Sequence, residues 1–198
     1  QFMRFFISII VLIFSLQSLA RANDIRDFQI EGISIGDSAL DYFTKKEIRT
    51  ERKYRIKYPN SNKFSAITFY EHPMLKVYES VQINLKNKDK KYIIYSISGI
   101  NFYNNNIDKC NKQMELISAQ LIEIFPDSII TKKTKKHEYD KSGKSLIHQN
   151  IFDMDSGDVV SVECYDWSKE MFNKHDLEDQ LVVSILSEDF SYFLTNDA

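Results

Sequence analysis

Residues 108–125 read DKCNKQMELISAQLIEIF, and this stretch decides the fold because its apolar residues recur at helical spacing. The apolar side chains come every three or four residues, which places them on one face of an α-helix. They are Cys110, Met114, Ile117, Leu121 and Ile124. A polar capping cluster at 104–108 precedes the stretch, and Pro126 follows it, as prolines just past a helix commonly do. The pattern predicts a helix from about 108 to 125 with one face toward a core.

The second cysteine predicts what this helix packs on. Cys164 follows Val160 and Val162 at period two, with polar residues between them, so all three face one side of a strand. Cys110 and Cys164 then both point to the core side of their elements, where a helix lying on a sheet brings them together. We expect one disulfide, with two separately buried thiols as the alternative. The bond would close a loop of about 54 residues and stabilise the fold by roughly 4 kcal/mol.

Strand patterns surround the helix in the sequence. Alternating or continuous apolar runs predict strands at 28–35, 64–70, 81–85, 92–100, 146–153, 159–166 and 181–186. Short helices are predicted near both ends. The first is capped by Asp37 or Ser38 and continues from a Thr44–Glu47 capping box, and the last is capped by Ser187, Glu188 and Asp189. The lysine-rich segment 130–145 is interpreted as a connection. This order predicts an α+β fold with a largely antiparallel sheet, a central packed helix, and two hairpin-plus-helix units.

The N-terminal residues predict the compartment. Residues 3–22 read MRFFISIIVLIFSLQSLARA, with Arg4 before an apolar run at 5–16 and an A-x-A cleavage site at 20–22. This is the layout of a secretory signal peptide. The alternative is an uncleaved membrane anchor, but the run is shorter than the about 20 apolar residues that a spanning helix needs.

Cleavage after Ala22 defines the expected mature chain. Residues 1–22 form the signal peptide, with Gln1 and Phe2 read as translation from upstream of Met3, and residues 23–198 form a single α+β domain. No cysteine stands at the cleavage point, so the bacterial lipid-anchor signal is absent. We expect a periplasmic or secreted protein with no membrane span after cleavage.

The net charge of the chain limits which classes of partner are expected. The chain has 26 basic and 28 acidic side chains. The signal segment holds two of the arginines and no acid, so 24 basic and 28 acidic side chains remain, a balance of −4. This balance gives no electrostatic reason to expect nucleic acid as a partner.

Two short motifs resemble ligand loops and are better explained as turns. Residues 142–145, SGKS, end like a phosphate-binding loop, but Glu138 stands where the earlier glycine is needed and a strand pattern follows. Residues 153–158, DMDSGD, begin like a calcium loop, but Cys164 falls at the twelfth position, where a bidentate carboxylate is needed. We therefore predict turns at both places, with no cofactor and no metal.

No catalytic constellation stands out. The chain has four histidines, which are scattered and show no metal-ligand spacing: His72, His137, His148 and His175. There is no G-x-S-x-G elbow for a serine nucleophile. Trp167, the only tryptophan, lies at a strand exit and is expected to anchor the core or its rim.

The lysines of the 130–145 segment offer one candidate contact. Lys132, Lys133, Lys135 and Lys136 are crowded together. A solvated, mobile loop is the simpler interpretation. The sharper one is a peripheral contact with anionic lipid headgroups or an acidic partner.

Two stretches carry a family resemblance. FQIEGISIGDSALDYF (28–43) and CYDWSKEM (164–171) resemble uncharacterised exported proteins of marine bacteria with small genomes, a likeness that implies export and no particular activity. Residues 33–43 also resemble the strand, glycine turn and short helix that open small outer-membrane assembly lipoproteins. The Gly-x-Pro that usually follows and the lipidated cysteine are missing, so this likeness does not carry an anchor or an assembly role.

Together these patterns favour an exported domain that binds an unknown protein or envelope component, or supports envelope structure, rather than catalysing a reaction. The alternative is a small extracytoplasmic hydrolase with a site assembled from dispersed Asp, Glu and His residues. A third reading is an inhibitor or chaperone of another exported protein. A pocket with converging ionisable groups would favour the enzyme, and a filled core with one exposed aromatic or basic face would favour the binder.

Overall fold

The computed structural model of the chain describes residues 25–198, and the predicted signal segment 1–22 lies outside them. The helices are α1 (Lys45–Glu51), α2 (Ile107–Ile124), α3 (Lys169–His175) and α4 (Glu188–Asn196). The strands are β1 (Ile56–Tyr58), β2 (Ser61–Tyr70), β3 (Ser80–Lys86), β4 (Ile94–Phe102), β5 (Ile129–Lys136), β6 (Leu146–Asp153), β7 (Val159–Asp166) and β8 (Gln180–Leu186). The predicted central helix and the predicted Thr44–Glu47 capping box are both confirmed.

One sheet of eight strands organises the fold, in the order β1-β2-β3-β4-β8-β7-β6-β5. Every neighbouring pair is antiparallel. The predicted α+β class with a largely antiparallel sheet is therefore confirmed. The order consists of two four-stranded meanders, β1–β4 and β5–β8, which meet where β4 pairs with β8. At this seam the hydroxyls of Ser98 and Ser184 lie 2.7 Å apart and are buried.

The two faces of the sheet are covered differently. On one face the apolar side of α2, from Cys110 to Leu121, packs on β7 and β8 in the main core. On the other face Phe190 and Phe193 of α4 pack with Phe64 of β2 in a smaller aromatic cluster. Each meander is thus followed by a helix, but the two helices lie on opposite faces. The two halves therefore repeat the same strand order, but their helices pack on different faces of the sheet.

The prediction of a strand at 28–35 was wrong. Ile30 and Ile33 bond to each other across a tight turn at residues 31–32, where both φ angles are positive. The Glu31 carboxylate accepts hydrogen bonds from three consecutive backbone N–H groups at residues 76–78. This contact holds the turn against the segment before β3. The isoleucines remain buried, so the apolar alternation reflected burial and not a strand.

The interpretation of residues 130–145 as a connection was wrong for its first half. β5 occupies 129–136 and pairs along its whole length with β6, which overrides the low strand propensity of lysine. It is the edge strand of its meander, and lysines on an edge discourage pairing with another chain. Only the segment after Lys136 is irregular.

Candidate functional site

A groove of about 610 Å³ lies at the end of the sheet where α2 finishes. Its apolar lining comes from segments far apart in the chain: Ile25, Ile35, Ile93, Ile94, Phe125 and Met154. Clefts of about 300–1,000 Å³ with mainly apolar walls are the usual size and chemistry of small-molecule sites.

Hydrogen bonds at the C-terminus of α2 fix the wall that this helix forms. The Phe125 N–H donates to the carbonyl oxygen of Leu121 at 2.8 Å, and the Ser128 hydroxyl donates to the carbonyl oxygen of Phe125 at 2.8 Å. Pro126 prevents the helix from continuing. The Phe28 ring meets the Phe125 ring edge-on at 5.7 Å, which orients the phenylalanine at the groove.

The opposite wall depends on a glycine. The Gly36 N–H donates to the carbonyl oxygen of Ile94 at 2.8 Å, which ties the N-terminal segment to the start of β4. Gly36 has a φ of +90°, a conformation that other residues rarely adopt. This turn positions Ile35 beside Ile94 at the floor of the groove.

The rim of the groove is polar, and most of its polar groups already form hydrogen bonds with nearby residues. Asp158 accepts from the Glu188 N–H at 2.9 Å and from the Ser156 hydroxyl at 2.8 Å. Ser187 accepts from the Phe190 N–H and so caps α4. Residues 154–158 form the predicted tight turn between β6 and β7. The rim can therefore orient a polar end of a ligand, but its hydroxyls are not paired with a base.

The predicted disulfide is confirmed. Cys110 and Cys164 are bonded with an S–S distance of 2.03 Å and a Cα–Cα distance of 6.0 Å. The bond joins α2 to β7 inside the main core, where both residues are fully buried. It fixes α2 on the sheet and thereby the helix end that forms one wall of the groove.

The four lysines predicted as an anionic contact lie on β5, away from the groove. Their alternation divides them between the two faces of the sheet, with Lys132 and Lys136 on one face and Lys133 and Lys135 on the other. Lys132 donates to Glu115 of α2 at 2.6 Å, an exposed pair worth at most about 1 kcal/mol. The peripheral contact stays a prediction, now for two smaller sets of lysines.

The histidines lie apart from each other and from the groove lining. His72 lies 3.4 Å from Glu47, and His148 contacts Thr134 at 3.0 Å. His175 lies against Tyr139. None of the four is among the groove residues in the described part of the chain.

His137 belongs to an aromatic cluster at the exit of β7. Its ring centroid is 4.2 Å from that of Trp167, which is 9% exposed and so fits the predicted role of a core or rim anchor. Burial, followed by the charge of Lys135, lowers the pKa of His137. The His137 ring is tilted against both Trp167 and Tyr165, so the three rings pack on one another.

The SGKS motif forms a loop held by an internal carboxylate. The Asp140 carboxylate accepts from the Ser142 and Ser145 N–H groups and from the hydroxyls of Ser145 and Ser168. The Ser145 and Ser142 hydrogen bonds hold the pKa of Asp140 well below its ordinary value. The donors that a phosphate would need are therefore already used, which agrees with the predicted turn.

Comparison of the chain with protein-family models, curated proteins and solved structures finds no match in any of the three. The two resemblances noted in the sequence stay predictions. Among residues 25–198, no helix is long and apolar enough to cross a membrane. Within the same residues, no three His, Cys, Asp or Glu side chains come together as a metal-binding group.

Sequence reasoning missed the groove itself. Its walls come from the N-terminal segment, the start of β4, the end of α2 and the β6–β7 turn. Each apolar residue in it carries an ordinary core signal. Nothing in a local pattern distinguishes an isoleucine that fills a core from one that lines an open cleft.

Proposed function

We propose that the mature chain is an exported binding domain that takes an apolar ligand into the groove at the end of α2. The observation that carries this proposal is the groove of about 610 Å³ with an apolar floor. Its serine hydroxyls serve turns and caps and no histidine is among its described lining residues, so the geometry supports binding better than hydrolysis.

The charges at the groove indicate which end group the ligand carries. Among the described residues, three acids line it, Asp127, Asp155 and Asp158, together with one cation, Arg26. The formal balance is negative, so complementarity favours a ligand with an apolar body and a positively charged end. A long-chain alkylammonium ion has this chemistry.

Fluorescent probe binding tests the apolar part of the proposal. The uncharged fluorophore N-phenyl-1-naphthylamine should bind residues 23–198 saturably with increased emission. Ile93→Trp should fill the groove and abolish this binding. Ile56→Trp, at an exposed isoleucine on edge strand β1, is the matched control and should leave binding unchanged. Equal binding by wild type and I93W would overturn the assignment of the site.

Competition between two amphiphiles of opposite charge tests whether the groove prefers a positively charged end group. Dodecylammonium should displace the fluorophore at lower concentration than dodecanoate, which has the same chain length and the opposite charge. Asp155→Asn removes an exposed rim carboxylate and should reduce the difference between the two amphiphiles. If dodecanoate competes equally well, the negative rim does not select the ligand.

Export rests on the signal sequence and is supported by the disulfide, because such bonds persist in oxidising compartments and are rare in the cytosol. Protein isolated from the envelope fraction should begin at Asn23. Its cysteines should resist alkylation until a reductant is added. A cytosolic product that retains residues 3–22 would contradict this part of the proposal.

A further inference from the structure

A second, smaller pocket lies beside α1 and is lined mostly by cations. It encloses about 380 Å³ between Lys45, Ile48, Arg49, Arg52 and Tyr92. The three basic residues follow one another at spacings of four and three, so they lie on one side of the helix and of the turn after it. Within the described chain, no acidic side chain lines this pocket. Of the two acids in α1, Glu47 accepts hydrogen bonds from Thr44, and Glu51, which precedes Arg52 in the chain, is not among the lining residues.

Arg52 is the informative member of the set. Its Nε and Nη2 atoms are buried and have no hydrogen-bond partner in the structure. Its guanidinium carbon lies 5.8 Å from the centroid of the Tyr92 ring, which fixes the side chain against an aromatic wall. A guanidinium group cannot lose its proton, so these donors stay charged. Buried donors without acceptors are unfavourable, and an acceptor in the pocket would relieve them.

The acceptor that fits is an oxyanion with more than one negative charge. Arginine forms paired, charge-assisted hydrogen bonds with planar or tetrahedral oxyanions. Lys45 and Arg49 add two further charges at the same pocket, more than a single carboxylate would neutralise. The volume exceeds that of a bare ion, and Ile48 and Tyr92 offer apolar contact to an organic group.

We propose that this pocket binds a phosphomonoester group through Arg52, with Arg49 and Lys45 completing the charge. The site differs from the groove, since the two share none of their described lining residues. It also differs from the lysine set on β5. The ligand chemistry is shared by a soluble phosphate compound and by the headgroup of phosphatidic acid.

Binding of inorganic phosphate to residues 23–198, followed by phosphorus NMR at constant ionic strength, tests the soluble source. We expect saturable binding that Arg52→Gln weakens at least about tenfold, since it removes the paired donors. Lys53→Gln is the matched control, because it deletes the same charge at the next residue, which is exposed and outside the pocket. Equal weakening by R52Q and K53Q would overturn the proposal, because it would show general charge attraction.

Thermal unfolding separates a ligand site from a structural role. In phosphate-free buffer R52Q should unfold at or above the temperature of the wild type, because the variant loses a buried group without a partner. Phosphate should raise the unfolding temperature of the wild type and not that of R52Q. A variant that unfolds at lower temperature in both buffers would assign Arg52 to the fold and overturn the proposal.

Vesicles test the membrane source. Phosphatidic acid vesicles, compared with phosphatidylcholine vesicles, should bind the wild type more tightly than they bind R52Q if the phosphate is that of a lipid. Binding of both free phosphate and vesicles, or of vesicles alone, supports the site when R52Q abolishes it. Vesicle binding that is lost only in a variant with glutamine at Lys132, Lys133, Lys135 and Lys136 would place the contact on β5 and overturn the proposal.

Discussion

Gly99 of β4 shows how a single residue can decide packing, because the ring of Tyr78 occupies the space of its missing side chain. A Cβ atom at this position would lie 2.6 Å from three atoms of the Tyr78 ring. The ring is packed against the main core, and burial raises the pKa of its hydroxyl. We expect Gly99→Ala to lower the free energy of unfolding by about 1–3 kcal/mol, as overpacking does. Urea denaturation measures this.

The control for Gly99→Ala is the same substitution in a Tyr78→Ala background. Without the ring, the added methyl group should change the free energy of unfolding by only a few tenths of a kcal/mol beyond its effect on chain flexibility. An equal loss in both backgrounds would show that the Tyr78 contact is not the cause.

Asp140 gives a prediction about pH. Hydrogen bonds from Ser145 and Ser142 hold its pKa well below the value of about 3.9 that it has in an unfolded chain. A group whose pKa is lowered by folding stabilises the fold above the unfolded pKa, and this contribution is lost as the pH falls toward the folded pKa. We expect Asp140→Asn to lower the unfolding temperature by several degrees at pH 7. The difference from the wild type should shrink below about pH 4.

Circular dichroism melts at a series of pH values check the Asp140 prediction. Asp155→Asn, at an exposed carboxylate of the β6–β7 turn, is the charge-matched control and should have little effect on the melt. A difference between D140N and wild type that stays constant from pH 7 to pH 3 would contradict the linkage.

At the scale of elements, the disulfide joins helix α2 to strand β7. Replacing Cys110 and Cys164 together by alanine should lower the free energy of unfolding by about 2–4 kcal/mol, because the 54-residue separation is no longer closed in the unfolded chain. The far-ultraviolet spectrum should be retained, since the remaining apolar face of α2 still packs. A variant as stable as the oxidised wild type would show that the bond adds nothing beyond packing.

The edge strand β5 gives a prediction about association. Among the described strands β5 pairs with β6 alone, and its outer edge carries lysines. Replacing Lys133 and Lys135 by isoleucine should produce self-association, visible by light scattering at concentrations where the wild type is monodisperse. Replacing the same pair by glutamine keeps the edge polar and should associate less. Association of both variants to the same extent would assign the effect to charge alone.

The elements that could be predicted from sequence are those with complete local signals. α2 carries an apolar face, a polar cap and a terminal proline, and β6 and β7 flank a turn with the usual Asp, Ser and Gly. β5 could not be predicted because its lysines have low strand propensity and its partner lies beyond a loop. The segment 28–35 misled because its isoleucines are all buried, as in a strand, while two positive φ angles turn the backbone.

The candidate sites were less predictable than the fold. The disulfide could be derived because the periods of a helix and a strand each place one cysteine on the core side. The groove and the basic pocket depend on where separate segments stop packing against each other, and Arg52 becomes informative only once its surroundings are known. Charge clusters in the sequence pointed to β5, whereas Arg52, with two buried nitrogen atoms, lies after α1.

For the whole molecule, β8 is the strand that unites the sheet, since it pairs with β4 on one side and β7 on the other. A chain truncated before Gln180 should lack cooperative unfolding, because both meanders keep an unpaired inner edge. A chain truncated after Ser187 retains β8 and loses only α4 with its aromatic cluster, so it should still unfold cooperatively at lower urea concentration. Cooperative unfolding of the shorter chain would show that the first meander folds by itself.

The central position of β8 also gives an expectation about the order of folding if the chain is exported. In a polypeptide that crosses a membrane beginning with its N-terminus, residues 180–186 arrive after both cysteines have passed. Until then the sheet has a gap beside β7, the strand that carries Cys164, and the sulfur atoms can be reached by an oxidising enzyme. We expect insertion of β8 to close that access, so that in an exported chain the covalent bond forms before the sheet is complete.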